Sequence, residues 1–227
     1  ALCQQLGEAP QLFPALFGLR LFYQQRAEFR SARALEEQLF RLAQQVEDPT
    51  LLVVSHQALG TSGYWLGEFA QARVHLEQGS ALYDPEPHRA LTFRAIQNPG
   101  VACLAFVGRV LWTMGLPDQA LQRSDASLTL ARELAHPFSL VYALSCAAVL
   151  HQLRREWPAA QARAEATIGL SGEQGFTLWL AMGTILRGWA LAVQDQPAQG
   201  VAQLRQGLAA YGATGTTLAQ SYLLALL

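Results

Sequence analysis

Gly67-Glu68-Phe69-Ala70-Gln71-Ala72 is the stretch that decides the fold, because variants of it return along the whole chain. The other copies are Ala27-Glu28-Phe29-Arg30-Ser31-Ala32, Gly115-Leu116-Pro117-Asp118-Gln119-Ala120, Arg155-Glu156-Trp157-Pro158-Ala159-Ala160 and Asp195-Gln196-Pro197-Ala198-Gln199-Gly200. Each closes on a small residue, at 32, 72, 120, 160 and 200, so the steps are 40, 48, 40 and 40. A fixed period in this range marks a stacked array of supersecondary units, none of which can bury its apolar face alone.

Between the copies, apolar residues recur at helical spacing with little strict alternation. Asp48-Pro49, Asn98-Pro99 and His136-Pro137 each stand before such a run. Proline tolerates the first helical position because its missing N–H would have no partner there, and Asp or Asn before it caps. Pro117, Pro158 and Pro197 mark helix starts inside the repeated phrase. The pattern predicts helix pairs over roughly 9–46, 49–83, 99–134, 137–173 and 177–212, and a last helix over 216–227. Gly67 and Gly115 suit the left-handed residue that ends the first helix of a pair. Ala72, Ala120, Ala160 and Gly200, facing Gly60, Gly108, Ala148 and Gly188, predict close helix approach. The fold expected is an all-α, right-handed superhelical solenoid of antiparallel pairs, with 1–227 a single unit.

Composition limits the function. Hydrophobic residues make up 51% of the 227 and charged residues 15%, ample for a continuous core. A net charge of −1 offers no electrostatic footprint for nucleic acid. Every basic residue is arginine, which excludes a P-loop lysine and a Schiff-base lysine. Cys3, Cys103 and Cys146 are odd in number and far apart, and read as reduced core thiols of a cytoplasmic protein. With no run of 18 apolar residues, no membrane span is expected. The five histidines are scattered without HExxH or paired-cysteine spacing, so neither metal nor cofactor is expected. Gly60-Thr61-Ser62-Gly63 and Gly169-Leu170-Ser171-Gly172 are not nucleophile elbows, because the second glycine falls one place early. Glu36 and Glu37, among Arg33 and Arg41, read as a solvated helix face. The chain is read as non-catalytic. Its abrupt first and last residues suggest a fragment of a larger protein.

Leu59-Gly60, Gly67, Phe69, Ala72 and Leu76 resemble the tetratricopeptide signature W-x2-L-G-x2-Y followed by A-x3-F. The final proline of that signature is absent or displaced in most copies, and the step of 40 exceeds the usual period of about 34. The stretches Gly67 to Leu82, Asp84-Pro85 through Leu104, and Gly175-Phe176 through Ala190 look like the C-terminal repeat region of large bacterial signalling proteins. In that family a class III nucleotide cyclase domain and an AAA-type ATPase module precede the repeats. The resemblance implies a regulatory tail serving signal transduction.

It also implies that the first helices of the pairs line a concave face. Aligning the copies places Phe17, Gln57, Tyr64, Trp65, Arg109, Trp112, Tyr142, Gln152, Met182 and Trp189 there, with Arg109 and Trp112 as the expected anchor. Aromatics and arginine are the side chains that most often carry binding energy. The competing reading is that Trp65, Trp112 and Trp189 are core between repeats. The step of 48 isolates an insertion at 84–98, where His88, Arg89, Phe93 and Arg94 could meet a carboxylate or phosphate; a solvated crossover is the alternative. Three functions compete: a groove for a peptide or protein segment, a self-association module working through 216–227, and a small-ligand sensor with a pocket near 84–98.

Overall fold

In the computed structural model, which describes residues 9–88, 97–194 and 196–227, the copies of the repeated phrase that are described in full form the same turn. In the second copy Gly67 takes φ +79°, its N–H donates to Tyr64 O at 3.2 Å, and the Glu68 N–H donates to Gly63 O at 2.8 Å. This paired bonding closes the exposed carbonyls of a helix end. The long bond recurs from Glu28 to Tyr23, Leu116 to Leu111, Glu156 to His151 and Gln196 to Leu191. The third residue of the phrase opens the next helix in every copy.

The helices are α1 Ala9–Gln25, α2 Phe29–Val46, α3 Pro49–Trp65, α4 Phe69–Leu82, α5 Pro85–His88, α6 Pro99–Thr113, α7 Pro117–Glu133, α8 Pro137–Leu153, α9 Trp157–Gln174, α10 Thr177–Ala192, α11 Pro197–Ala213 and α12 Gln220–Leu224. The residues before the prolines cap as expected. Asp48 Oδ1 accepts from Thr50 N at 2.8 Å, Asn98 Oδ1 from Gly100 N at 3.0 Å, and His136 Nδ1 from Ser139 N at 3.3 Å.

Two layers follow from two burial patterns. Helices α3, α6 and α8 are buried almost all round, α3 without a break from Val53 to Gly63. They pack on one another, and α10 packs on α8, as a continuous inner layer. The outer helices bury one stripe at offsets of four, seven and eleven residues from the small residue that closes the phrase. In α7 the stripe is Ala120, Ser124, Ser127 and Ala131, and in α9 it is Ala160, Ala164, Thr167 and Ser171. Such a stripe faces one neighbour only, so the outer layer meets solvent.

The last segment departs from the expected helix over 216–227: α12 has five residues. After α11 the chain turns at Gly215 and Ala219, both left-handed. It then crosses back to the first pair. The N–H groups of Thr217 and Leu218 both donate to Gln25 O, at 2.9 and 3.2 Å, and the Thr216 hydroxyl donates to Gln25 Oε1 at 3.2 Å. Tyr222 donates its hydroxyl to Gln152 at 2.6 Å, and Leu223 is fully buried. The apolar end expected to be free for self-association is therefore spent in part inside the chain, although Leu224 and Leu227 stay exposed.

Candidate concave-face binding cavity

Closure by the C-terminal segment leaves a cavity of about 250 Å³ on the inner face. Its walls come from α1 (Gln24), α3 (Gln57, Trp65), α6 (Phe106, Arg109), α8 (Tyr142, Cys146) and α10 (Trp179, Met182), and its roof from Tyr211, Leu218 and Tyr222. Small residues seat each inner helix closely on its outer partner: an added Cβ on Gly60 would strike Leu76, and one on Gly108 would press on the Ala120 carbonyl.

An aromatic train runs along this face. Phe29 stacks on Trp65 at 5.9 Å with an interplanar angle of 5°, Trp65 meets Phe106 at 6.5 Å, Phe106 meets Tyr142 at 6.4 Å, and Tyr142 meets Trp179 at 5.5 Å. The Arg109 guanidinium sits among these rings, 5.1 Å from the Tyr64 centroid, 5.2 Å from Phe106 and 5.4 Å from Trp65. Contacts of this kind favour a cation, more so where water is excluded. Arg109 is 8% exposed, its Nε has no partner, and among the described residues no hydrogen bond or ion pair reaches its guanidinium. It is the only charged residue among the described residues that line the cavity.

The remaining groups are neutral near pH 7. Burial pushes the Tyr142 and Tyr222 phenols above their ordinary values and the Cys146 thiol up to about 11. Gln57 Nε2 donates to Thr61 Oγ1 at 3.0 Å, and that hydroxyl donates in turn to Gln57 O. Among the described residues no three His, Cys, Asp or Glu side chains converge. The arrangement combines one cation, ring faces and neutral polar groups around an open volume.

The residues picked from sequence divide into groups. Gln57, Trp65, Arg109, Tyr142 and Met182 line the cavity, and Tyr64 backs Arg109. Phe17 is half-buried away from the cavity, stacked on Phe13 and under the Arg20 guanidinium at 4.8 Å. Trp112 stands apart from the cavity with Arg154 over its ring at 5.8 Å, so it does not form an anchor with Arg109. Gln152 and Trp189 line a separate depression of about 520 Å³ with Trp157 and Leu226. Arg89, Phe93 and Arg94 of the insertion, and the His88 side chain, lie outside the described residues.

Glu36 is a correction: it is fully buried rather than solvated. It accepts from Ser62 Oγ at 2.7 Å and pairs with the fully buried Arg20 at 3.5 Å, while Arg20 donates to Gln24 at 2.7 Å. Burial pushes the Glu36 carboxyl up, and Arg20 and Ser62 pull it back. The neighbouring Arg33–Glu37 pair is the expected i, i+4 contact, at 3.3 Å. Phe106, Trp179, Tyr211 and Tyr222 were not singled out from sequence. Trp179 was legible from its place in the first turn of an inner helix; the roof residues were not, because they follow no repeat.

No family model and no curated protein matches the sequence. Solved structures do match. A Rap protein complexed with Competence and Sporulation Factor superposes with a TM-score of 0.72 at 12% identity, over 87% of this chain and 53% of that one. The chain thus spans about half the length of that protein. BtubC from P. vanneervenii matches with a TM-score of 0.65 at 15% identity, covering 93% of this chain and 89% of the other. A kinesin light chain with nearly identical TPR-like repeats from Podosopora anserina matches at 0.59 and 16%, covering 91% and 97%. The fold is a tetratricopeptide-like solenoid. At such identities the likeness establishes architecture and leaves ligand and residue roles to the chain's own geometry.

Proposed function

We propose that the chain is a non-catalytic interaction module whose concave face engages a segment of a protein or peptide. The observation that carries this reading is that the face already holds a polypeptide segment, from its own residues 216–227, through main-chain bonds to Gln25, the Tyr222–Gln152 bond and the Leu218 and Tyr222 side chains over the cavity. A surface that satisfies main-chain N–H groups and takes up aromatic and aliphatic side chains has the means to bind an incoming segment in the same way. The complex of the Rap protein with its factor supports a binding role for this architecture.

The wider setting is a regulatory tail behind a nucleotide cyclase domain and an ATPase module in a bacterial, cytoplasmic signalling protein. It is proposed on the sequence resemblance and on the free, buried Cys103 and Cys146, which suit a reducing compartment. Selection of a random peptide-display library against the chain tests the binding reading. Enriched peptides are expected to lose binding at least tenfold on Tyr142→Ala or Met182→Ala and to keep it on Val74→Ala, an exposed position. Enrichment that ignores the concave substitutions, or no enrichment, counts against the reading.

A further inference from the structure

We propose that the roofed cavity is a binding site for a small organic monocarboxylate with an apolar body, its carboxylate paired with Arg109. This rests on the concave face being the binding face, and adds the ligand's chemistry.

A buried arginine without an anion is costly. Removing its charge from water is offset here only by three aromatic rings, and one nitrogen is left without a partner. The other buried arginine differs: Arg20 already has Glu36 and Gln24. Among the described lining residues Arg109 is thus the one unbalanced charge, and it presents a planar donor fork matched to a carboxylate. The indole N–H groups of Trp65 and Trp179 are also buried without a partner. Around them the walls are mostly ring and aliphatic surface, with Phe106, Val149, Leu178 and Met182, and carry the neutral polar side chains Gln57, Thr61 and Ser145.

Three features choose the ligand class. Among the described residues that line the cavity Arg109 is the single positive charge, which balances a monoanion and leaves a phosphate dianion undercompensated. Apolar walls reward an aromatic or alkyl body. The volume of about 250 Å³ falls just under the span of roughly 300–1,000 Å³ usual for small-molecule sites, so with the roof in place it admits a small molecule rather than an extended segment.

The test uses the full chain and three acids, benzoate, 3-phenylpropionate and octanoate, each against its neutral amide, with tryptophan fluorescence and calorimetry as readouts. An acetylated tetrapeptide ending in a free Phe carboxylate separates a free acid from a peptide terminus. At least one acid is expected to bind tenfold or more tighter than its amide and tighter than the peptide. Arg109→Met is expected to fold, by circular dichroism, and to erase the acid preference while leaving amide binding within twofold. The proposal is overturned if no acid binds at millimolar concentration, if acid and amide bind alike, if only the peptide binds, or if Arg109→Met keeps the preference. A failure here leaves the peptide selection unaffected, since that assay does not require a carboxylate or Arg109.

Discussion

At the first position of the repeated phrase the backbone is left-handed in the four copies where that residue is described: Gly67 and Gly115 at φ +79°, but also Ala27 at +57° and Arg155 at +59°. A Cβ on Gly67 would touch nothing within 4 Å, so alanine there costs only its conformational strain, about 1 kcal/mol. Gly67→Ala is therefore expected to destabilise by that amount and Ala27→Gly to stabilise by roughly 0.5–1 kcal/mol, read by urea unfolding. Equal and opposite shifts are the signature; no change in either would separate the turn from stability. His56 is a second case. Its Nδ1 lies 3.1 Å from Nδ1 of His75, and burial, then His75, pushes its pKa down to about 4. Above the unfolded value near 6.5 both states are neutral and the stability is fully present. As pH falls from about 6.5 towards 4, the unfolded chain takes up a proton that the folded ring refuses, so stability falls, by about 3 kcal/mol over the window. An NMR titration of the His56 ring should show a midpoint near 4; one near 6.5 contradicts the assignment.

Helix ends and helix pairs were legible because turn chemistry and small-residue spacing are local. The burial of Glu36 was hidden by a charged neighbourhood, yet the register contained it. Glu36 stands where Leu76, Ser124, Ala164 and Leu204 stand, four residues after the closing small residue of each outer helix, and it is buried as they are. Its partner Arg20 lies on another helix, where no periodic signal links the two. The same register explains Gly200. Alanine occupies the equivalent place in the other copies, but a Cβ on Gly200 would lie 2.4 Å from Ala192 N and 2.6 Å from Gly188 O. These are backbone atoms that cannot rotate aside, and Gly188 faces them across the pair, so α10 and α11 approach more closely than alanine permits. Gly200→Ala is expected to cost about 2–3 kcal/mol in chemical denaturation, although it restores the residue found at 32, 72, 120 and 160. A neutral result would mean that α10 and α11 can part without loss.

For the whole molecule the decisive bond joins the two ends of the stack. A linear solenoid couples only nearest neighbours, so a lesion in its last repeat is felt there and one repeat away. Here Thr217 and Leu218 hydrogen-bond to Gln25 at the end of α1, and Leu218 and Tyr222 roof a cavity built from α1, α3, α6, α8 and α10. No spacing in the sequence announces this, because the closing segment lies outside the repeat and its partner is the carbonyl of a residue whose side chain carries no pattern. Closure makes the coupling testable. Thr217→Pro removes one of the two N–H donors to Gln25 and disfavours the helical region at Thr216. Amide exchange is then expected to accelerate at least tenfold in two places at once, along 216–224 and in the last turn of α1, while α7 and α9 in the outer layer are unchanged. Exchange that rises only in α11 and the C-terminal segment would describe an open stack with a docked tail. Acceleration at both ends would instead show that the concave face is held shut by its own chain, and that any segment bound there competes with residues 216–227 for the same surface.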